Sequence, residues 1–345
     1  MKITKIPGLG RFGNFIDDLD FTTLTDEEWL EIGKLHLQSL VTIIRNVKLT
    51  PAEYESWINK WGHSRVLEQY RVLKAYGVTE LGELIGRNDV SEEHRQWLMT
   101  VFNIRPHQEG GLQTHMLRVS GMKNKQGQPL GMFAEGELLW HSNESGNICF
   151  APAVSLLGHH GVVGSATGFV TTPDWYEAQT ESFRSELDEM IIEHKFTPGR
   201  INPGLRKDQD DLMYKNMCPV DMDIPLVIQS PAGFKGLHYS INTINSIKGM
   251  SQTDSDRLIE EINKTLFVDK YVYDHWYKQD NDLCLFDNSV TLHRRLGGIA
   301  DRLCYRIQYN YGNIAPANYN PYFQEPYISQ FNNEIVEVNR VLGIK

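Results

Sequence analysis

The chain has 345 residues, a formal net charge of −10 at pH 7, 41% hydrophobic residues and 23% charged residues. This composition is typical of a soluble globular protein, and the acidic surplus argues against a general nucleic-acid binder, which normally carries a basic face. No apolar run approaches the roughly 20 residues needed to span a bilayer and the N-terminus lacks an apolar signal core, so we expect a cytoplasmic protein with no membrane partner.

Near the N-terminus, residues 8–13 (GLGRFG) match the dinucleotide-binding pattern G-x-G-x-x-G. That pattern has meaning only between a strand and a helix. Here Pro7 interrupts the candidate strand and residues 14–21 are typical of an extended segment, so we do not expect a dinucleotide fold. The four cysteines form no C-x-x-C pair and predict reduced structural thiols: Cys149, Cys218, Cys284 and Cys304.

Two capping boxes predict the first two helices. Thr25 with Glu28 precedes an apolar-periodic segment that predicts a helix of about five turns to Leu40. A strand is expected over residues 41–47. Thr50 with Glu53 then predicts a second helix, which ends at Gly62.

The rest of the chain predicts short strands with a few helices. A helix capped at Thr172 is expected to run to Ile191, and others over 253–262 and from about 332. Strands are expected over 118–121, 153–157, 162–169, 226–229, 238–240, 283–287 and 304–309, with a hairpin turn at 124–127. Residues 197–223 lack periodicity, which is typical of either a disordered insertion or an active-site lid, and we favour the lid. No repeat or linker divides the chain, so we expect one domain over 1–345.

The stretch from Glu137 to Glu144 is interpreted as a buried strand that ends in metal-binding side chains. In an extended strand His141 and Asn143 would share one face, and Ser142 and Glu144 the other. A site for non-haem iron uses two histidines and one carboxylate, and the first histidine and the carboxylate are commonly two residues apart. An amide stands at the carboxylate position here.

Other candidate groups have plainer interpretations. His159 and His160 could bind another metal, but adjacent strand residues face opposite ways. The segment with His293, Arg294 and Arg295 is predicted as a loop between two strands. Its two arginines either bind an anionic substrate or are solvated.

The order of features resembles the taurine dioxygenase-like (TauD/TfdA) family of Fe(II)- and 2-oxoglutarate-dependent oxygenases. The most specific pieces are Trp140-His141-x-Asn143 and the later run Asp287-Asn288-x4-His293-x8-Arg302-x3-Arg306. The resemblance implies an α+β fold with a double-stranded β-helix core (jelly-roll, cupin-like) and flanking helices.

The resemblance also implies roles for individual residues. His141 and His293 would bind Fe(II), with Asn143 at the third position. Thr167 and Arg302 would bind the distal carboxylate of 2-oxoglutarate, since a guanidinium grips a carboxylate in a bidentate manner. Arg306 would face the substrate.

The amide at position 143 leaves three outcomes open. Asn143 binds the metal through its oxygen, Glu144 replaces it if a bulge turns its side chain onto the metal face, or water or an anion fills the position. Spacing to Pro152 favours Asn143 as the equivalent residue.

The expected function is oxygenation of a small organic substrate, and an anionic substrate is one candidate. The reaction consumes O2 and 2-oxoglutarate and releases succinate and CO2. The alternatives are a catalytically silent protein that binds 2-oxoglutarate and metal, a halogenase-like relative, and a divalent-metal hydrolase, which lacks an evident general base beyond Glu144. A small-molecule substrate is the expected partner, and association into a homo-oligomer is left open.

Overall fold

The computed structural model describes residues 1–62, 87–89, 116–122, 138–145, 150–194, 223–241, 243–297 and 301–315. Sixteen strands are present in these ranges: β1 (Lys2–Lys5), β2 (Asn14–Asp17), β3 (Val41–Ile44), β4 (Met116–Ser120), β5 (Leu138–His141), β6 (Ala153–His160), β7 (Ala166–Thr171), β8 (Ile191–His194), β9 (Asp223–Pro225), β10 (Val227–Gln229), β11 (Lys235–Leu237), β12 (Ile244–Ile247), β13 (Val272–Trp276), β14 (Asp282–Asp287), β15 (Thr291–Leu296) and β16 (Leu303–Tyr309). Five helices accompany them: α1 (Asp26–Ser39), α2 (Pro51–Asn59), α3 (Pro173–Glu177), α4 (Glu181–Glu189) and α5 (Gln252–Leu266).

Two sheets form the core. The larger sheet has seven strands in the order β1-β2-β3-β14-β6-β16-β4, and the smaller has four in the order β13-β7-β15-β5. All pairs are antiparallel except β2 with β3. Phe286 of the large sheet packs against Phe169 of the small sheet, with ring centroids 5.2 Å apart. Two facing antiparallel sheets with these non-sequential neighbours form the expected jelly-roll core.

Helices cover the outer faces of both sheets. Trp29 of α1 and Tyr54 of α2 lie in one buried cluster with Leu285 of the large sheet. Leu187 of α4 and Ile262 of α5 pack on the small sheet through a second cluster. Because β14 is covered on both faces, all six of its residues are buried, and its sequence is a nearly unbroken apolar run.

Both predicted capping boxes are confirmed. The side chains of Thr25 and Thr50 accept hydrogen bonds from the amides of Glu28 and Glu53, and each glutamate bonds back to the cap amide. The first helix is shorter than the predicted five turns, because it ends at Ser39 and Leu40 adopts a φ of 59°. Residues 8–13 form a turn between the strands β1 and β2. The dinucleotide pattern therefore does not lie between a strand and a helix, as predicted.

Three local predictions were wrong. The helix expected from Thr172 to Ile191 is two helices, because Thr180 is extended and its hydroxyl caps α4 at the amide of Phe183. Ile191 begins a strand instead. The expected loop around His293 is the buried strand β15, and the expected strand through Asn143 ends at His141.

Some predictions fall outside the described residues: the hairpin turn at 124–127, the lid over 197–223 except Asp223, and the helix from about 332. The strand expected at 226–229 is present as β10, but its antiparallel partner is β11 at 235–237, so the second strand of the pair lies before the expected 238–240. None of the helices in the described ranges has both the length and the apolar character required to cross a bilayer.

Candidate metal and cosubstrate site

Two histidines face each other where β5 ends against the middle of β15. His141 and His293 are direct partners across this antiparallel pair, and their ring centroids lie 4.1 Å apart. Directly opposed residues project from the same face of a sheet. The two imidazoles, which are 152 positions apart in the numbered sequence, therefore point together into the space between the sheets.

The ring nitrogens of both histidines suit metal binding. The Nδ1 atom of His141 lies 2.6 Å from the carbonyl oxygen of Leu139. That carbonyl can only accept, so Nδ1 carries the proton and the lone pair is on Nε2, as in metal-binding imidazoles. In His293, Nδ1 is buried and has no hydrogen-bond partner. A divalent ion on these rings would fit the donor set, because imidazole nitrogen binds Fe(II) well.

The electrostatic surroundings keep both imidazoles neutral. Burial, together with smaller contributions from the charges of Arg306 and Arg295, lowers the pKa of His141 to about 4. Burial likewise holds the pKa of His293 well below its ordinary value, with a contribution from His141. Neutral imidazole is the form that binds a metal.

Asn143 lies in a turn that follows β5. Its side chain is 5% exposed, its Oδ1 accepts a hydrogen bond of 3.3 Å from Nη1 of Arg306, and its Nδ2 is buried without a partner. A guanidinium only donates, so the amide atom that faces Arg306 is the oxygen. A carbonyl oxygen has two lone pairs, and the second is available to a metal.

Glu144 is directed differently. Its backbone has a φ of 62°, and its Oε2 accepts a hydrogen bond of 3.3 Å from the amide of Ala151. Its charge partly offsets the effect of burial on Arg306, whose pKa is lowered to about 10. The Glu144 carboxylate thus bonds to the following segment, and its charge acts on Arg306.

Asn288 fixes the segment that carries Asn143. Its Oδ1 accepts from the amide of Asn143 at 2.8 Å, and its Nδ2 donates to the carbonyls of Asn143 at 3.0 Å and Ala151 at 2.8 Å. Asn288 is fully buried in the turn between β14 and β15. This side chain therefore joins the strand of His293 to the turn after His141.

The two histidines line a cavity together with a basic wall, which is formed by Arg294, Arg295, Arg302 and Arg306. The described lining residues are Val119, Leu138, His141, Leu156, Thr167, Phe286, His293, Arg294, Arg295, Arg302 and Arg306. Thr167 and Arg302 are 4% and 5% exposed, and the Thr167 hydroxyl lies 3.0 Å from that of Tyr277. Such a wall suits carboxylate groups.

The structure brings most of the predicted site residues together. Five of them line this cavity: His141, His293, Thr167, Arg302 and Arg306. Asn143 and Glu144 are not among the described lining residues, but Asn143 is hydrogen-bonded to Arg306, which is. Within the described residues, no group of three or more His, Cys, Asp and Glu side chains is placed to hold a metal.

The alternatives at His159, His160, Arg294 and Arg295 are also clarified. His159 and His160 end β6, and the His160 side chain is 63% exposed beside Asp280 at 3.8 Å. Arg295 is 7% exposed, so it is not a solvated loop residue. The sequence analysis left Arg295 between anion binding and solvation, although its spacing of two from His293 was a usable signal for its place in the cavity.

Comparison with known proteins agrees with this geometry. The family model "Taurine catabolism dioxygenase TauD, TfdA family" matches residues 2–307. A crystal structure of AAD-2 in complex with Mn(II) and N-oxalylglycine is similar, with a TM-score of 0.59, 18% identity, and coverage of 89% of this chain and 97% of that one. A taurine dioxygenase from Burkholderia xenovorans is similar, with a TM-score of 0.59, 18% identity and 89% coverage of both chains. A search of curated proteins found no match.

The family match covers most of the chain, and the structural neighbours share its jelly-roll core. Enzymes of this type are oxidoreductases that depend on Fe(II), 2-oxoglutarate and O2. The chain therefore belongs to the taurine catabolism dioxygenase TauD, TfdA family of 2-oxoglutarate-dependent dioxygenases.

Proposed function

We propose that the protein hydroxylates a C–H bond of a small, anionic organic substrate, and that the metal and cosubstrate bind in the cavity lined by His141 and His293. The observation that carries the proposal is the direct pairing of these two imidazoles, with ring centroids 4.1 Å apart, in a cavity that Thr167, Arg302 and Arg306 also line. Bound there, Fe(II) with 2-oxoglutarate and O2 supplies oxidation of the substrate, coupled to release of succinate and CO2.

The chain's own residues bind and orient the reactants. His141 and His293 hold the metal through neutral imidazoles, and Phe286, whose ring lies 4.7 Å from His293, fixes that ring and excludes water. Arg302 and Thr167 bind the distal carboxylate of 2-oxoglutarate. Arg306 orients Asn143 and presents positive charge to an anionic group of the substrate.

We assign the third protein position to the oxygen of Asn143. The amide oxygen faces Arg306 and retains a free lone pair, whereas the Glu144 carboxylate is engaged with the Ala151 amide and the charge of Arg306. A neutral ligand removes one negative charge from around the metal, which weakens Fe(II) binding and favours an additional anion in the site.

A second candidate function is halogenase-like chemistry, in which an anion occupies the third position. The buried Nδ2 of Asn143 favours it, because this donor has no partner and could donate to a halide. Addition of bromide to the anaerobic complex of Fe(II) and 2-oxoglutarate distinguishes the two. A shift of its visible absorption supports the halide site, and an unchanged spectrum supports ligation by Asn143.

The uncoupled conversion of 2-oxoglutarate to succinate tests the main proposal without knowledge of the substrate. We expect the wild-type chain with Fe(II) to form succinate in air, and His141→Ala and His293→Ala to fall below about a hundredth of that rate. His160→Ala is the matched control, since this imidazole is exposed on β6. Absence of succinate from the wild type, or equal rates for all four proteins, would contradict the proposal.

A further inference from the structure

We propose that a second cavity, which lies at the edge of the two sheets, binds a small organic ammonium ion. In this arrangement His275 and Asp18 bind the ammonium group, and Tyr273 and Trp276 contact the apolar part of the ligand. The inference does not depend on the proposed function, because it concerns a different part of the molecule.

The second cavity lies between the edge strand β13 and the ends of β2 and β3. Its volume of about 390 Å³ is within the range of small-molecule sites. Asp17 at the end of β2, Arg45 after β3 and Tyr273 on β13 are among its lining residues. None of its described lining residues also lines the cavity at His141 and His293. It is therefore a separate site.

His275 offers a hydrogen-bond acceptor to this cavity. The residue is 4% exposed, and its Nε2 lies 3.0 Å from Oδ2 of Asp282. Burial opposes ionisation of that carboxyl, but hydrogen bonds from His275, Asn46 and Gln279 outweigh it, so the pKa of Asp282 is lowered. An ionised carboxylate only accepts, so Nε2 carries the proton and Nδ1 of the neutral ring holds the lone pair. In the part of the chain that the structure describes, Nδ1 has no hydrogen-bond partner. A ligand with N–H donors suits it.

The charge of the second cavity favours a cation. Its lining includes three carboxylates and two cations, which are Asp17, Asp18 and Asp282 against Arg45 and Lys278. Arg45 and Asp17 neutralise each other in a bidentate pair, at 2.6 and 2.5 Å. With His275 neutral, the cavity therefore keeps a net negative charge. The basic wall of the other cavity has the opposite preference.

Aromatic rings provide the second feature of a site for an organic cation. The guanidinium of Arg45 lies 4.4 Å from the centre of the Phe15 ring, so this cavity already holds one cation on an aromatic face. The ring of Tyr273 meets that of Phe15 edge to face at 5.8 Å, and Trp276 is 50% exposed. Indole is the aromatic side chain that attracts a cation most strongly. An ammonium ion on an apolar body thus matches the rings, the carboxylate and the imidazole acceptor together.

Calorimetric titration of the full chain with benzylamine tests the inference, and benzyl alcohol is the neutral probe of the same size. Benzylamine is protonated at neutral pH. We expect it to bind with a Kd below about 1 mM, and benzyl alcohol to bind at least about tenfold more weakly. Trp276→Leu keeps an apolar side chain without the aromatic face, and we expect it to weaken benzylamine binding about three- to tenfold, whereas Trp276→Phe retains most of the affinity.

A second pair of variants tests the role of charge. Asp18→Asn removes one carboxylate, and the backbone tolerates it because asparagine readily adopts the φ of 56° found there. We expect it to weaken benzylamine binding about two- to fivefold. Asp256→Asn is the matched control, since this carboxylate is exposed on α5 and does not line the cavity, and we expect an unchanged affinity.

Three results would overturn the inference. The first is no saturable binding of benzylamine up to about 10 mM, or equal affinity for benzyl alcohol. The second is equal benzylamine affinity in the wild type and Trp276→Leu. The third is binding that is lost in His293→Ala and kept in Trp276→Leu, because the amine then occupies the cavity of the two histidines. None of these measurements uses Fe(II) or 2-oxoglutarate, so their failure leaves the proposed function intact.

Discussion

At the scale of single residues, the identity of residue 143 determines the charge of the metal site. Asn143 offers a neutral oxygen that already accepts a hydrogen bond from Arg306, and the adjacent carboxylate of Glu144 is turned toward Ala151. Fe(II) and Mn(II) both favour a carboxylate over an amide at such a position. Exchange of amide for carboxylate at residue 143, and of carboxylate for amide at residue 144, therefore reports which residue contacts the metal.

We expect Asn143→Asp to tighten Mn(II) binding at least about tenfold, because a charged oxygen replaces a neutral one at a position beside Arg306. Glu144→Gln is the matched change of one charge at the next residue, and we expect it to alter Mn(II) affinity less than about threefold. Equilibrium dialysis with metal analysis measures both constants. Loss of metal binding in Glu144→Gln together with an unchanged affinity in Asn143→Asp would show that Glu144 is the third ligand.

The family resemblance, carried by the motifs around His141 and His293, predicted that His141, Thr167, His293, Arg302 and Arg306 belong to one site, and these five residues line one cavity. The conformation at residue 143 could not be predicted in this way. Alternation along a strand assumes that the strand continues, and here β5 ends at His141 and Asn143 begins a turn. Hydrogen bonds from Asn288, distant in sequence, determine where that turn lies.

At the scale of secondary-structure elements, the turn between β14 and β15 holds the two halves of the site together. Asn288 in that turn bonds to the backbone of Asn143 and Ala151. Removal of its side chain leaves one amide and two carbonyls of this segment without these partners. Buried groups of this kind are costly to leave unpaired.

For Asn288→Ala we expect the free energy of unfolding to fall by about 2–3 kcal/mol. We also expect Mn(II) affinity to fall about 10- to 100-fold, since the variant frees the segment that carries Asn143. Denaturant unfolding and metal binding are measured on the same preparation. Asn14→Ala is the control, because Asn14 is also buried and bonded, to Ser39, but does not line the cavity. Asn288→Ala with wild-type metal affinity would show that the turn stabilises the fold without positioning the site.

The strand β15 shows why element prediction from sequence was incomplete. Turn-forming residues flank it, at Asn288 and Gly297, and two arginines stand in its middle, so the local pattern resembles a loop. The partners that make it a strand come from elsewhere: β7 and β5 pair with its two edges, and Asp274 neutralises Arg294. Tertiary pairing thus overrides local propensity.

At the scale of the whole molecule, the site lies between two sheets whose outer faces are covered by helices. The large sheet contributes Arg306 within β16, with Arg302 immediately before that strand, and the small sheet contributes both histidines and Thr167. The packing of one sheet on the other therefore sets the distance between the metal ligands and the basic wall. The jelly-roll fold was correctly expected from the resemblance, whereas the single domain over 1–345, the lid and the cytoplasmic location stay predictions.

The most direct test of the metal and cosubstrate site is an anaerobic titration in which Fe(II) and then 2-oxoglutarate are added to the wild-type chain. We expect a visible charge-transfer band to appear with one equivalent of each, to vanish in His293→Ala and to persist in His160→Ala. No band in the wild type at saturating Fe(II) and 2-oxoglutarate would contradict the claim that His141 and His293 form a site for the metal and its cosubstrate.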